Sequence, residues 1–183
     1  MQNSKDSLSV VFSKEQIDER INELAKNINE YYREALKANE QLLVVCVLRG
    51  AVLFFADLVR HLEGNIELDF VRIASYGKST SSSGHVNFIK DLEIDIQDKH
   101  VLIVEDIVDS GLSMNFLLKQ LEVRNPKSLK LVALISKTER RENEVKVDFV
   151  GFDKANGFLV GYGLDYAEKY RHLPAIYDLK LSN

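Results

Sequence analysis

Residues 101–113, Val-Leu-Ile-Val-Glu-Asp-Ile-Val-Asp-Ser-Gly-Leu-Ser, limit the possible folds more than any other stretch. Val101 to Val104 is an unbroken apolar, mostly β-branched run, the pattern of a strand covered on both faces in a parallel sheet. At its carboxyl end stand two adjacent carboxylates, Glu105 and Asp106, then a third, Asp109, and a turn of Ser110, Gly111, Leu112 and Ser113. Met114, Leu117, Leu118 and Leu121 follow at helical spacing, which predicts a helix over 112–124. The unit is strand, acidic lip, glycine turn, helix. Ligands of open α/β sheets bind outside the carboxyl ends of strands, so the lip is a candidate site.

The turn suits an anion. Backbone N–H groups at a helix start are unpaired and lie at the positive end of the dipole. Ser110 and Ser113 add hydroxyl donors, and Gly111 allows close approach, so a phosphate fits. No lysine stands as in a G-x-x-x-x-G-K-[ST] loop, which argues against a nucleoside triphosphatase of that kind. Three acids beside a phosphate make sense if they bind hydroxyls, hold a metal or move a proton. A sugar phosphate supplies the hydroxyls.

The remaining chain reads as one domain over 1–183, with a core over about 13–150 and a C-terminal segment over about 151–183. Ser13 and Gln16 form a capping-box pattern, and Ile17, Ile21, Leu24, Ile28, Tyr31 and Ala35 mark one face of a long helix. Leu42 to Leu48 is a second buried strand ending in Arg49-Gly50, either a plain helix-entry turn or a ligand loop. The helix after it is apolar on most sides and should be well buried. Ile66, Leu68 and Phe70 alternate as a third strand ending near Ser75-Tyr76, and Val86 to Leu92 is its returning partner. The tract between, Gly77 to His85, is a hairpin loop or a lid.

Leu129 and Leu131 to Ile135 form another buried strand with Lys137 at its carboxyl end, and Thr138 to Glu142 reads as a solvated charged loop. Phe158, Val160 and Tyr162 share one face of an extended run, with Tyr162 in the core, and Ala175 to Leu179 is a final strand. Net charge is −4 without a long basic block, so nucleic acid is not an expected partner. Cys46 lies in an apolar run as a buried reduced thiol. The N-terminus lacks the apolar core of a signal peptide and no apolar run approaches spanning length. A cytoplasmic protein without a membrane partner is expected.

Glu105-Asp106-x-x-Asp109-Ser110-Gly111-x-Ser113 after an apolar strand resembles the phosphoribosyl diphosphate motif of the type I phosphoribosyltransferases. With Gly157 to Tyr166, the chain resembles the hypoxanthine-guanine phosphoribosyltransferases of bacterial type from about Leu42 to Leu179. The resemblance implies an α/β fold with a central, mostly parallel sheet flanked by helices and a small hood from C-terminal segments. It implies transfer of ribose 5-phosphate from phosphoribosyl diphosphate to a 6-oxopurine, with Mg²⁺ as cofactor, in a homodimer or homotetramer.

By the same resemblance, Ser110, Gly111, Leu112 and Ser113 would hold the 5′-phosphate, and Glu105 and Asp106 the ribose hydroxyls. Glu105, Asp106 and Asp165 would serve the metal. Arg49 and Gly50, with a cis Leu48–Arg49 peptide, and Arg171 would hold the diphosphate. Lys137 would donate to the purine 6-oxygen and so reject adenine. Phe158 would stack on the base, Leu159 offer it backbone groups, and Asp165 lie near its 2-position. Ser75 and Tyr76 would open a lid over about 76–86, excluding water from a carbocation-like sugar carbon. Asp109 would be the general acid and base. Its structural alternative is a helix cap, a position that Ser110 already fills on this reading.

Leu112 stands where some members carry lysine, and serine replaces threonine at 110 and 113. Three other readings compete. An RNA-binding, nucleotide-sensing regulator on the same fold would want a basic face. A dinucleotide-binding dehydrogenase would want G-x-G-x-x-G after the first strand. A phosphoribosyltransferase for another base is disfavoured by Lys137 with Phe158.

Overall fold

The computed structural model describes residues 7–76, 85–138, 141–153 and 157–181. The helix expected near the N-terminus is α1 (Lys14–Ala35), and Ser13 and Gln16 form the reciprocal capping box. Its inward stripe is Ile17, Ile21, Leu24, Ala25, Ile28 and Tyr32. Tyr32 takes the place expected for Tyr31, which is exposed instead and packs edge-on against Tyr32.

The central sheet contains β2 (Leu42–Val47), β3 (Ile66–Tyr76), β4 (His85–Lys90), β5 (His100–Val108), β6 (Ser128–Ser136) and β7 (Phe149–Asp153), in the order β4-β3-β2-β5-β6-β7. All neighbours are parallel except β4, an antiparallel edge strand. Alternate residues of β2 serve opposite faces. Leu42, Val44 and Cys46 pack with α1 and α2 (Val52–Val59), whereas Leu43, Val45 and Val47 pack with α3 (Leu112–Glu122). Continuous apolar runs therefore mark strands covered on both sides. Helix α2 is less enclosed than its composition suggests: Phe54, Phe55 and Leu58 are buried, but Val52 and Leu53 are exposed. Cys46 is a buried free thiol whose pKa is pushed up to about 12 by burial, with Glu105 and Asp106 adding to the shift.

A second, antiparallel sheet of β1 (Ser7–Phe12), β9 (Ile176–Lys180) and β8 (Leu159–Val160) forms the hood. Two strands come from the C-terminal segment as expected, and the N-terminal strand completes it. The face expected for Phe158, Val160 and Tyr162 breaks up, because Phe158 is exposed while Val160 and Tyr162 are buried. Positive φ at Gly157 and Gly161 bounds the two-residue strand, so alternation does not run through it. Among the described residues no helix is long and apolar enough to cross a membrane.

Candidate active site

Strand β5 runs on to Val108, so Glu105 and Asp106 lie within the ladder rather than beyond it. Asp106 is buried and accepts the Ile107 N–H at 3.0 Å. Burial raises its pKa, opposed by Glu105, by these backbone bonds and by the charge of Arg171. Glu105 Oε2 is buried without a hydrogen-bond partner, and burial beside Asp106 pushes this carboxyl well above the usual range. This end of β5 thus holds two adjacent carboxyl groups, one of which keeps a buried oxygen without a hydrogen-bond partner.

Two backbone segments close against this strand end. The Leu48–Arg49 peptide is cis, as the resemblance implied. At Gly50 a Cβ would lie 1.8 Å from Asp106 Oδ2, so only glycine admits the carboxylate there. Gly163 of the hood, at φ +98°, covers Gly50 so closely that a Cβ would meet the Gly50 carbonyl oxygen at 2.0 Å. Tyr162 pins the same hood turn to α2 by donating its hydroxyl to Asp57 at 2.5 Å. Arg171 donates from Nη1 to Gly163 O at 2.8 Å and pairs through Nη2 with Asp165 Oδ1 at 2.7 Å. Arg49 pairs with Glu168 at 2.5 Å.

The expected phosphate turn begins α3, with a correction. Gly111 at φ +84° is the N-cap and offers no side chain, while Ser110 Oγ only accepts the Leu112 N–H at 3.4 Å. Ser110 is therefore not the N-cap, and Asp109 lies two residues before it. The turn is clamped from outside: Glu142 N and Asn143 N both donate to Ser110 O at 3.0 Å. Arg141 donates to Val145 O and Ser136 Oγ, each at 2.8 Å, and its chain lies against Gly111. At Arg141 and Glu142 the supposedly solvated loop is instead a brace for the turn. Ser113 lies in the first turn of α3.

Lys137 follows β6 and is only 4% exposed. Its Nζ donates to Gly157 O at 2.9 Å and lies 3.9 Å from Asp109 Oδ2. The Asp109 side chain is 39% exposed. Phe158 is 50% exposed and meets Tyr166 edge to face at 5.4 Å. Asp178 of β9 accepts the Phe158 N–H at 2.9 Å, and Leu179 N donates to Phe158 O at 2.8 Å. Leu159 is buried. Asp178, Arg141 and Glu168 carry no local sequence signal that would have nominated them. Each acts on a partner brought close by the fold.

Ser75 and Tyr76 end β3, in register with Val86 and His85. Most of the expected lid, 77–84, lies outside the described residues. The other expected groups converge at the carboxyl ends of β2, β5 and β6 and under the hood, the position that parallel sheets favour for ligands.

A phosphoribosyl transferase domain model matches residues 12–167. The hypoxanthine-guanine phosphoribosyltransferase of Mycobacterium avium is 48% identical over 172 residues, covering 93% of this chain and 85% of that one. That of Bacillus subtilis is 43% identical over 171 residues, covering 93% and 92%. The crystal structure of a Bacillus anthracis hypoxanthine-guanine phosphoribosyltransferase superposes with a TM-score of 0.85 at 36% identity, covering 96% of this chain and all of that one. The chain belongs to the phosphoribosyltransferase family, on the branch of the hypoxanthine-guanine phosphoribosyltransferases.

Proposed function

We propose that this chain moves ribose 5-phosphate from phosphoribosyl diphosphate to a 6-oxopurine, hypoxanthine or guanine, and releases diphosphate. One observation carries the reading. A buried ammonium, Lys137, lies 3.9 Å from the half-exposed carboxylate of Asp109 and donates at 2.9 Å to the carbonyl of Gly157, the residue before the exposed ring of Phe158.

Each part of the reactants has a matching group. The phosphate turn Ser110 to Ser113 takes the 5′-phosphate on backbone N–H groups and hydroxyls. Glu105 and Asp106 hydrogen-bond the ribose hydroxyls, a pairing that carboxyl oxygens and hydroxyl groups suit. The Arg49–Gly50 backbone and Arg171 hold the diphosphate. Phe158 stacks on the purine and Leu159 offers it backbone groups, with Asp165 near the 2-position. Lys137 has only donors, so it pairs with a 6-oxo group and faces a donor in adenine.

In the reaction one imidazole nitrogen of the purine attacks the sugar carbon as its bond to the diphosphate oxygen breaks. The proton on the other nitrogen passes to Asp109, and in reverse Asp109 returns it to the leaving base. Ser75 and Tyr76, at the end of β3, would begin the lid that keeps water from the sugar cation.

The donor set fits Mg²⁺ in one particular way. Among the described residues no cluster of three His, Cys, Asp or Glu could hold a metal by itself. Glu105 has a buried unpartnered oxygen, Asp106 is its neighbour, and Asp165 is shared with Arg171. Carboxylates of this kind complete a Mg²⁺ site together with substrate oxygens and water. Bound there, the ion supplies charge neutralisation of the leaving diphosphate. The same reading extends to a cytoplasmic location and to a homodimer or homotetramer, whose size sedimentation of the purified chain measures.

The test is an assay with phosphoribosyl diphosphate, Mg²⁺ and, in turn, hypoxanthine, guanine, xanthine, adenine and uracil, following diphosphate release. Turnover with a 6-oxopurine and none with adenine or uracil is expected. Turnover with adenine or uracil instead, or with no base at all, contradicts the proposal.

A further inference from the structure

The two cations at the diphosphate end of the site share one carboxylate. Glu168 Oε1 lies 2.5 Å from Arg49 Nη2, and its Oε2 lies 3.4 Å from Arg171 Nη2. One side chain from the hood thus spans the loop after β2 and the guanidinium of Arg171, each of its oxygens on a different arginine. Diphosphate would present the same feature, two anionic oxygens spaced to meet two cations. The carboxylate is 59% exposed and so can be displaced from outside.

The backbone holds Glu168 there. Tyr166 and Lys169 exchange hydrogen bonds across a two-residue turn, at 3.2 and 3.0 Å. Ala167 and Glu168 at its centre have φ of +49° and +66°. Positive φ at both positions is the type I′ turn, ordinarily made with Asn-Gly. A long charged residue seldom sits there, and such conformations persist where the surroundings over-determine them. Here the Glu168 N–H donates to Asp165 Oδ2 at 2.9 Å, so the turn is tied to the same Asp165 that pairs with Arg171.

We propose that Glu168 is an internal counter-ion to Arg49 and Arg171 that competes with diphosphate for them. This rests on the reading that Arg171 and the Arg49–Gly50 backbone bind that group, and it adds the Arg49 guanidinium to the cations that meet it. Displacement of Glu168 breaks two ion pairs, so the residue weakens the grip on diphosphate and favours its release. Glu168 is a positioning residue that touches no reacting atom.

The experiment is calorimetric titration of the full chain with inorganic diphosphate and Mg²⁺. Glu168→Gln should lower the diphosphate Kd by about two- to tenfold, the range that two exposed ion pairs can supply. The KM for the purine should stay unchanged, a split that general loosening of the hood would not produce. Glu168→Asp, too short to span both arginines, should fall between Gln and wild type. Should the Gln variant fail to fold, this one decides, tighter binding supporting the proposal and equal or weaker binding overturning it. Arg171→Ala separates the two levels of the argument. If it weakens diphosphate binding while Glu168→Gln does not tighten it, the counter-ion role falls and the site reading stands. If Arg171→Ala leaves binding unchanged, the site reading fails and the counter-ion role with it.

Discussion

The two ends of the central sheet treat their carboxylates in opposite ways. At the amino end, Glu40 receives the Lys37 N–H at 3.0 Å, the Lys127 ammonium, and His100 Nε2 at 3.3 Å. His100 is itself buried and joined through Nδ1 to Ser128 Oγ at 2.7 Å. The Lys127 bond is the chief reason why the Glu40 carboxyl is held at about 2. At the carboxyl end, burial drives Glu105 and Asp106 the other way, and Glu105 keeps an oxygen without a partner. The same strands join a satisfied end, which stabilises the fold, to an unsatisfied end, which a ligand with hydroxyls and a cation would complete. Such an arrangement exchanges stability for binding.

The largest expected break in that contrast is kinetic. Asp109→Asn should lower kcat by about 10²–10⁴-fold, the usual loss when a positioned proton carrier is removed. Binding of phosphoribosyl diphosphate should hold and the melting temperature fall little, because Asp109 does not cap α3 and Lys137, 3.9 Å away, keeps its bond to Gly157 O. Stopped-assay rates with parallel thermal melts check it. Next, Phe158→Ala should raise the purine KM by roughly 5- to 150-fold, since base–aromatic stacking is worth about 1–3 kcal/mol. A collapsed thermal transition would instead show that the hood needs Phe158 to fold.

Two stability changes of opposite sign follow. The Glu105 carboxyl is raised on folding, so its ionisation costs stability progressively as pH climbs above the ordinary value of 4.5. Glu105→Gln removes that cost and should raise the melting temperature at neutral pH, by roughly 2–4 °C per kcal/mol relieved. Donor binding should weaken in the same variant. Glu40 is lowered on folding, so its contribution is complete above 4.5 and is lost as pH falls toward about 2. Glu40→Gln should therefore lower the melting temperature at neutral pH and flatten its acid dependence, with activity kept. Melts of both variants across pH 3 to 8 are the check, and shifts of the same sign in both would dissolve the contrast between the two ends.

What the sequence made legible was local. The run from Val101 to Met114 folds as strand, turn and helix because apolar pattern, carboxylates and glycine are contiguous there. The Ser13–Gln16 cap and the buried strand from Leu42 were readable for the same reason. Choices that depend on distant partners were not readable. Strand β1 exists because β9, at the far end of the chain, offers it an edge. Tyr31 and Tyr32 are equally apolar neighbours, and only the placing of the sheet decides which one turns inward. Arg141 was indistinguishable from the charges around it until the turn at Gly111 came to rest against its stem. Asp178 and Glu168 gain their places by holding groups 20 and 119 residues away, respectively, at Phe158 and Arg49.

The central claim is geometric, so the most direct measurement is a crystal structure of the Asp109→Asn variant with phosphoribosyl diphosphate, Mg²⁺ and hypoxanthine. The 5′-phosphate should lie on the Ser110–Ser113 turn, the purine against Phe158, and Lys137 Nζ within hydrogen-bonding distance of the 6-oxygen. A phosphate bound away from that turn, or a base that meets neither Lys137 nor Phe158, would contradict it.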